Sequence, residues 1–232
     1  MTSASRATAR LYLASASPRR REILDRIGID HDVLLVPAPP GEDEPRLPGE
    51  DPDVYVRRTA RDKAVRARTW LRSRAAASHD GGGQEDRIPP DDGRSERQNT
   101  LDARRPVLAA DTTVILDGAI LGKPRDAADA KRMLGLLSGG VHAVHTAVVL
   151  SWQDRLWEDV SISEVRFARL SATEIDAYCD SGEPHGKAGA YGIQGKASVF
   201  VEHISGSYTG IMGLPTHETY RLLKAAGLAA AG

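Results

Sequence analysis

Ser15, Ser17 and the run Arg19-Arg20-Arg21 stand together where Pro18 is expected to open a helix. A helix N-terminus carries about half a positive charge, so each guanidinium placed there is disfavoured by roughly a few tenths of a kcal/mol. Such a placement suits an incoming anion. Free N–H groups, serine hydroxyls and guanidinium forks together make a phosphate cradle; the plainer reading is a basic surface turn. Asp111 is the second oddity. It interrupts the apolar run Val107 to Leu116, where an unpaired carboxylate would be costly to bury. It is expected at a strand end or bulge facing a cleft, holding a metal or a water, or else accepting backbone N–H groups in a tight turn.

Lys63 lies between Ala60 and Ala64, on the margin of a buried helix face, and Lys123 is fixed in the turn Gly122-Lys123-Pro124. Each reads alone as surface charge, as does Lys187 in Gly186-Lys187-Ala188-Gly189. The acidic loop Glu42-Asp43-Glu44 is either solvated or a source of a metal ligand. His142 and His145 are three apart on an expected turn-to-strand, a poor ligand pair for zinc. Neither a Walker A sequence nor a GxGxxG in a strand-turn-helix setting is present. Taken together, an anion cradle, a cleft carboxylate, an acidic loop and turn-positioned lysines describe metal-assisted phosphate chemistry at a nucleotide-phosphate site, with no named substrate.

These residues need a scaffold, and the hydrophobic pattern supplies one. A strand Leu11 to Ala14 runs into a helix from Pro18, capped by Ser17, with Ile23, Leu24 and Ile27 on its apolar face and Gly28 closing it. A strand His31 to Val36 and a Pro/Gly/acid loop Pro37 to Glu50 follow. Asp51-Pro52 opens a helix whose Val56, Ala60, Ala64, Ala67 and Leu71 recur at helical spacing. Residues 72–106 break the pattern with Gly81-Gly82-Gly83 and Pro89-Pro90, and read as a flexible surface insertion. Beyond it come a strand Val107 to Leu116, a turn at Asp117-Gly118, and a helix carrying Ala127, Ala130, Met133, Leu134 and Leu137. Strands Val144 to Leu150 and Val160 to Leu170 precede a capping box, Ser171 to Glu174, that opens a short helix to about Asp180. A Gly-rich segment, Gly186 to Gly195, leads to a strand Ser198 to Ile204, and a last helix starts at Pro215 and ends at Gly227. The alternation is α/β, with a strand-rich middle that points to a mixed sheet.

Composition excludes several classes. Lys+Arg 31 against Asp+Glu 32 leaves a formal charge of -1, which is no footprint for a polybasic nucleic-acid binder. One cysteine, Cys179, excludes an intramolecular disulfide framework and a multi-Cys zinc site. No apolar run approaches the roughly 20 residues that span a bilayer, and no secretory signal opens the chain. The expectation is a globular, cytoplasmic protein with no nucleic-acid or membrane partner.

The order of motifs resembles the Maf family of nucleoside triphosphate pyrophosphatases. The resemblance rests on Leu13-Ala14-Ser15-Ala16-Ser17-Pro18-Arg19-Arg20-Arg21-Glu22-Ile23-Leu24, on Asp43-Glu44 with Pro48-Gly49-Glu50, and on Arg61-Asp62-Lys63-Ala64. It continues through Ala110-Asp111-Thr112-Thr113-Val114, Gly122-Lys123-Pro124, Leu137-Ser138-Gly139, the run Lys187 to Gly195, and Gly213-Leu214-Pro215. It implies one Maf-like domain over residues 1–232, interrupted by the insertion at 72–106. The implied fold is inosine-triphosphate-pyrophosphatase-like (Maf/Ham-type): a long, twisted mixed sheet with helices, in two lobes around a nucleotide cleft. The implied reaction is hydrolysis of a nucleoside triphosphate between the α- and β-phosphates, with a divalent metal, Mg²⁺ or Mn²⁺.

Carried over position by position, Asp111 is the family's proton acceptor, acting on water directly or through the metal. Ser15, Arg20, Lys63 and Lys123 neutralise the triphosphate, and Glu44 joins Asp111 as a metal ligand. Arg19, Thr112 and Gln194 match the branch that acts on dTTP and UTP. An amide offers one donor and one acceptor, as the uracil or thymine edge requires, whereas the 7-methyl-GTP branch has an aromatic residue at Arg19 and a Glu-containing segment near Gln194. Gly186 stands where an acidic residue often precedes Lys187. Family members are often homodimers. Two rival readings are a pyrophosphatase of modified nucleotides such as 7-methyl-GTP, and a nucleotide-binding regulator of septum formation.

Overall fold

A computed structural model describes residues 10–39, 44–79 and 101–229, the side chains of 77–79 excepted. Its centre is a seven-stranded mixed sheet in the order β2-β1-β3-β5-β6-β7, with β4 on the free part of β3. The strands are β1 (Leu11–Leu13), β2 (His31–Val33), β3 (Val107–Leu116), β4 (Ala119–Leu121), β5 (Val141–Trp152), β6 (Arg155–Phe167) and β7 (Val201–Ser205). β1 runs parallel to β2 and β3, and the β3-β5-β6-β7 half is antiparallel. The helices are α1 (Pro18–Arg26), α2 (Pro52–His79), α3 (Ala127–Leu137), α4 (Ala172–Asp180), α5 (Tyr208–Met212) and α6 (Thr216–Ala225). The mixed α/β sheet expected from the pattern is what forms. Among the described residues no helix is long and apolar enough to cross a membrane.

β3 alternates between two cores, as a strand's period of two requires. Leu108, Ala110 and Val114 face the larger core, shared with α1, α3, α4 and α6. Val107 and Ala109 face α2. Under α2 the packing is small: Val56, Ala60 and Ala64 lie on Ala109, Ala147 and Val149. Alanines on both surfaces bring the helix axis close to the sheet, near enough for medium-length side chains of α2 to reach β3.

Several expectations are corrected. Asp111 was expected at a strand end or bulge; it sits mid-strand, in unbroken register opposite Ala147. The strand accepts it because α2 supplies its partners, described below. The expected insertion 72–106 is shorter at both ends. Residues 72–79 continue α2, and Leu101 and Ala103 pack on the core around Tyr12; 80–100 lie outside the described residues. β2 stops at Val33, β5 extends beyond its expected span at both ends, β6 starts earlier and ends earlier than expected, and β7 starts only after a 3-10 turn at Lys196–Phe200. α5 was unforeseen. It contains Thr209 and Gly210, poor helix formers, and it holds through its ends: Ser207 accepts from the Gly210 N–H, and Gly213 closes it in the left-handed region. The α4 capping box forms as expected, while Ser17 makes no side-chain cap on α1.

One buried arginine ties the chain that returns after residue 100 to α2 and β5. Arg68 of α2 donates to the carbonyls of Ala103 and Arg105, each at 2.9 Å, and to Ser151 of β5. Arg105 in turn stacks 3.8 Å from the Tyr12 ring centroid and pairs with Asp32 at 2.7 Å. Replacing Arg68 by Met strands those carbonyls, and a buried acceptor left unmet costs about 1–3 kcal/mol. Arg68→Met is expected to lose about 3 kcal/mol and to lower Tm by about 6–12 °C in a thermal melt; an unchanged Tm would show that the clamp carries no stability.

Candidate active site

β3 pairs with β1 only at Val107 and Leu108, and with β4 only from Val114 onward. Between these points, residues 109–113 have a ladder partner on the β5 side alone among the described strands. A cleft opens at this unpaired edge. It is lined by Asp111, Thr112 and Thr113 of β3, by Arg19 and Arg20 of α1, by Lys63 and Tyr55 of α2, and by Glu44 and Lys123 from loops. The segment Gly186 to Tyr191 and residues 211–213 close the other wall. Gly189 is what lets that segment come in: a Cβ there would stand 2.9 Å from the Val114 side chain, at a φ of +66°.

At the centre, the Lys63 ammonium donates to Asp111 Oδ1 at 2.6 Å and also contacts the Glu44 carboxylate. Thr59, one helical turn before Lys63, donates to Asp111 Oδ2 at 2.6 Å. Lys123 lies 3.7 Å from the same Glu44 oxygen. Burial pushes the Asp111 carboxyl upward, but the Lys63 ammonium, the Thr59 hydroxyl and the Arg20 guanidinium outweigh it and hold the group below the ordinary carboxylate range. Asp111 is therefore ionised at neutral pH. Each of its oxygens still has a lone pair to offer.

Arg20 is anchored behind this centre. Its Nε donates to Gly213 O at 2.7 Å, Nη1 to Ser15 Oγ at 3.1 Å, and Nη2 to Thr112 Oγ1 at 3.4 Å. One N–H on each terminal nitrogen is left for an anion. Arg19 donates from Nε to Met212 O at 3.3 Å. Burial pushes both guanidinium groups down from their ordinary value, yet arginine keeps its proton in proteins.

The structure thus brings together Arg19, Arg20, Glu44, Lys63, Asp111, Thr112 and Lys123 along one cleft, with Ser15 one hydrogen bond behind Arg20. Gln194 is exposed and stands off the lining. Of the arginine run, Arg21 is also off it. Glu42 and Asp43 lie outside the described residues. Sequence reasoning missed Thr59, Tyr55 and Tyr191, and read Lys187 as surface charge although it lines the cleft. The signal for Thr59 was available: it is four residues before Lys63, hence on the same helical face.

Five cationic side chains (Arg19, Arg20, Lys63, Lys123 and Lys187) face two carboxylates in the lining, a surplus of three positive charges. That is a field for a polyanion. The two carboxylates converge on one ammonium, so their oxygens also suit a hard cation; Mg²⁺ takes one or two carboxylates and completes its shell with phosphate oxygens and water. Among the described residues no third His, Cys, Asp or Glu joins them.

A family model described as Maf-like protein matches residues 10–226. The chain is 59% identical over 220 residues to a protein of Bordetella pertussis named dTTP/UTP pyrophosphatase, covering 95% of this chain and 94% of that one. Proteins of the same name in Cupriavidus pinatubonensis and Nitrosomonas europaea are 48% and 45% identical, each over 94% of this chain and 97% and 95% of theirs. With a match that runs from the first described strand into the last helix, the chain belongs to the Maf family.

Proposed function

We propose that this protein is a nucleoside triphosphate pyrophosphatase that hydrolyses dTTP and UTP to the nucleoside monophosphate and pyrophosphate. The observation that carries the reading is the buried Asp111 carboxylate, held ionised by Lys63 at the unpaired edge of β3 inside a cleft of surplus positive charge. Relatives bearing the dTTP/UTP pyrophosphatase name along nearly the whole chain support it.

In this reading Asp111 accepts the proton of the water that attacks the α-phosphorus. Thr59 and Lys63 fix its carboxylate plane, so the lone pair facing the cleft is aimed before substrate arrives. As the α–β anhydride bond breaks, charge moves onto the pyrophosphate. Lys63, Lys123 and the two spare N–H groups of Arg20 stand ready to receive it, without the reorganisation that water would need. Ser15 orients Arg20 and so belongs to the phosphate wall. Arg19, Thr112 and Gln194 are the residues assigned to the base and sugar, with the Gln194 amide as the base reader. Glu44 and Asp111 are the residues that would hold Mg²⁺ or Mn²⁺, which when bound supplies Lewis-acid neutralisation of phosphate oxygens. The chain forms one Maf-like domain, with 80–100 inserted in it.

Asp111→Asn keeps the shape and the Thr59 contact but removes the acceptor. It is expected to lower kcat for pyrophosphate release by about 10²–10⁴-fold while calorimetry still detects dTTP binding; an unchanged kcat would remove Asp111 from the chemistry. In a panel of nucleoside triphosphates, release from dTTP and UTP should exceed that from GTP and 7-methyl-GTP, and EDTA should abolish it. Preference for 7-methyl-GTP would move the protein to the modified-nucleotide reading, and binding without any release would favour a regulatory role.

A further inference from the structure

One buried pair in the cleft wall has no part in the phosphate chemistry. Tyr191 lines the cleft beside Val114, Val144 and Met212, on the face of β3 away from Asp111. Its ring is 6% exposed, and among the described residues its hydroxyl has a single hydrogen-bond partner, His142 Nε2 of β5, at 2.8 Å. His142 is 2% exposed and enclosed by the edges of Phe167 and Tyr191, with ring centroids at 5.0 and 5.4 Å. Its other nitrogen, Nδ1, is buried with no hydrogen-bond partner. Burial pushes the imidazole down to about 4, so it is neutral at physiological pH and carries one proton.

That proton has two places to sit. On Nδ1 it would leave a buried N–H with nothing to accept it, while Tyr191 donated to Nε2. On Nε2 it would be donated to the Tyr191 oxygen, and only a lone pair on Nδ1 would go unmet. Orphaned buried N–H groups are the rarer of the two in native structures. The Nε2–H tautomer therefore prevails, and the Tyr191 oxygen spends its acceptor capacity on His142. A hydroxyl that ordinarily gives or takes becomes a donor only, and its own proton must find an acceptor other than His142.

We propose that Tyr191 is a specificity-determining residue that donates to the 4-carbonyl of uracil or thymine, and that His142 is the positioning residue that makes it donor-only. This rests on the pyrimidine reading given above. The apolar neighbours of Tyr191 suit a base better than a phosphate, and its neutral O–H suits a neutral carbonyl. Cytosine presents an amino group at the same ring position. Two donors would then face each other in a dry site, and a buried donor left unmet is penalised far more than a formed bond is rewarded. The pair thus selects by rejection as well as by attraction.

Two measurements test this. In the resting protein, long-range ¹H–¹⁵N correlation spectra should show His142 as the Nε2–H tautomer; an Nδ1–H tautomer would overturn the proposal whatever the enzyme hydrolyses. For Tyr191→Phe, with a thermal melt confirming the fold, the ratio of kcat/KM for UTP over CTP should fall about fivefold to tenfold. The same fall is expected for His142→Leu, whose tyrosine is free to accept. A ratio that Tyr191→Phe leaves unchanged would overturn the base assignment. Failure of the functional reading looks different: the unaltered enzyme would then release pyrophosphate from neither UTP nor dTTP.

Discussion

A carboxylate in the middle of a central strand has to be matched, and the Lys63 ammonium that matches Asp111 sets the terms for its surroundings. Breaking a buried ion pair by removing one partner costs about 3–5 kcal/mol. Geometry must therefore deliver the lysine. Thr59 and Lys63 lie four residues apart on α2 and grip the two oxygens of one carboxylate. They reach it because alanines at 60, 64, 109 and 147 let the helix lie close on the sheet. Glu44 is drawn in by the same ammonium, which pulls the segment before α2 over the cleft. One electrostatic demand thus fixes a helix distance, a helix rotation and a loop position.

The second determinant is a gap in hydrogen bonding. β1 leaves β3 after Leu108, and β4 joins only at Val114. Between them the backbone edge is open, and the chain fills the opening with function rather than with a strand. β1 hands over to α1, whose arginines enter from one end. The segment around Gly189 folds in from the other. Because successive β3 residues point to opposite faces, Asp111 looks toward Thr59 and Lys63 of α2, while Thr112 looks toward Arg20, Thr146 and the apolar wall. The cleft's division into a polar and an apolar half is the pleat of one strand.

The sequence showed much of this, and what it hid has physical reasons. Strongly periodic elements such as α3, and signals with a local mechanism such as the Ser171–Glu174 capping box, were readable because neighbours in sequence determine them. That Asp111, Lys63 and Lys123 share one cleft was legible from residue type and motif order, not from periodicity, which read each lysine as ordinary surface charge. Asp111 was placed at a strand end because the partner that makes mid-strand burial tolerable lies 48 residues away. α5 escaped notice because its stability is in its caps and packing rather than its composition. Tyr191 and His142, 49 residues apart, meet only in the folded chain; in sequence one was part of a glycine-rich run and the other half of a poor zinc-ligand pair.

Arg68 has a bearing on how such a chain can change over generations. Its guanidinium holds α2, the carbonyls of Ala103 and Arg105, and β5 at one point. The returning chain at Ala103 and Arg105 is thereby fixed to the middle of α2 by an arginine in the body of the protein. The clamp sits five residues after Lys63 on the same helix, so the spacing of α2 from β3, and with it the Lys63–Asp111 pair, is held from within the fold. A change of length in the sequence between 80 and 100 therefore meets the clamp before it meets the cleft, which makes that sequence the place to graft a tag or a second domain.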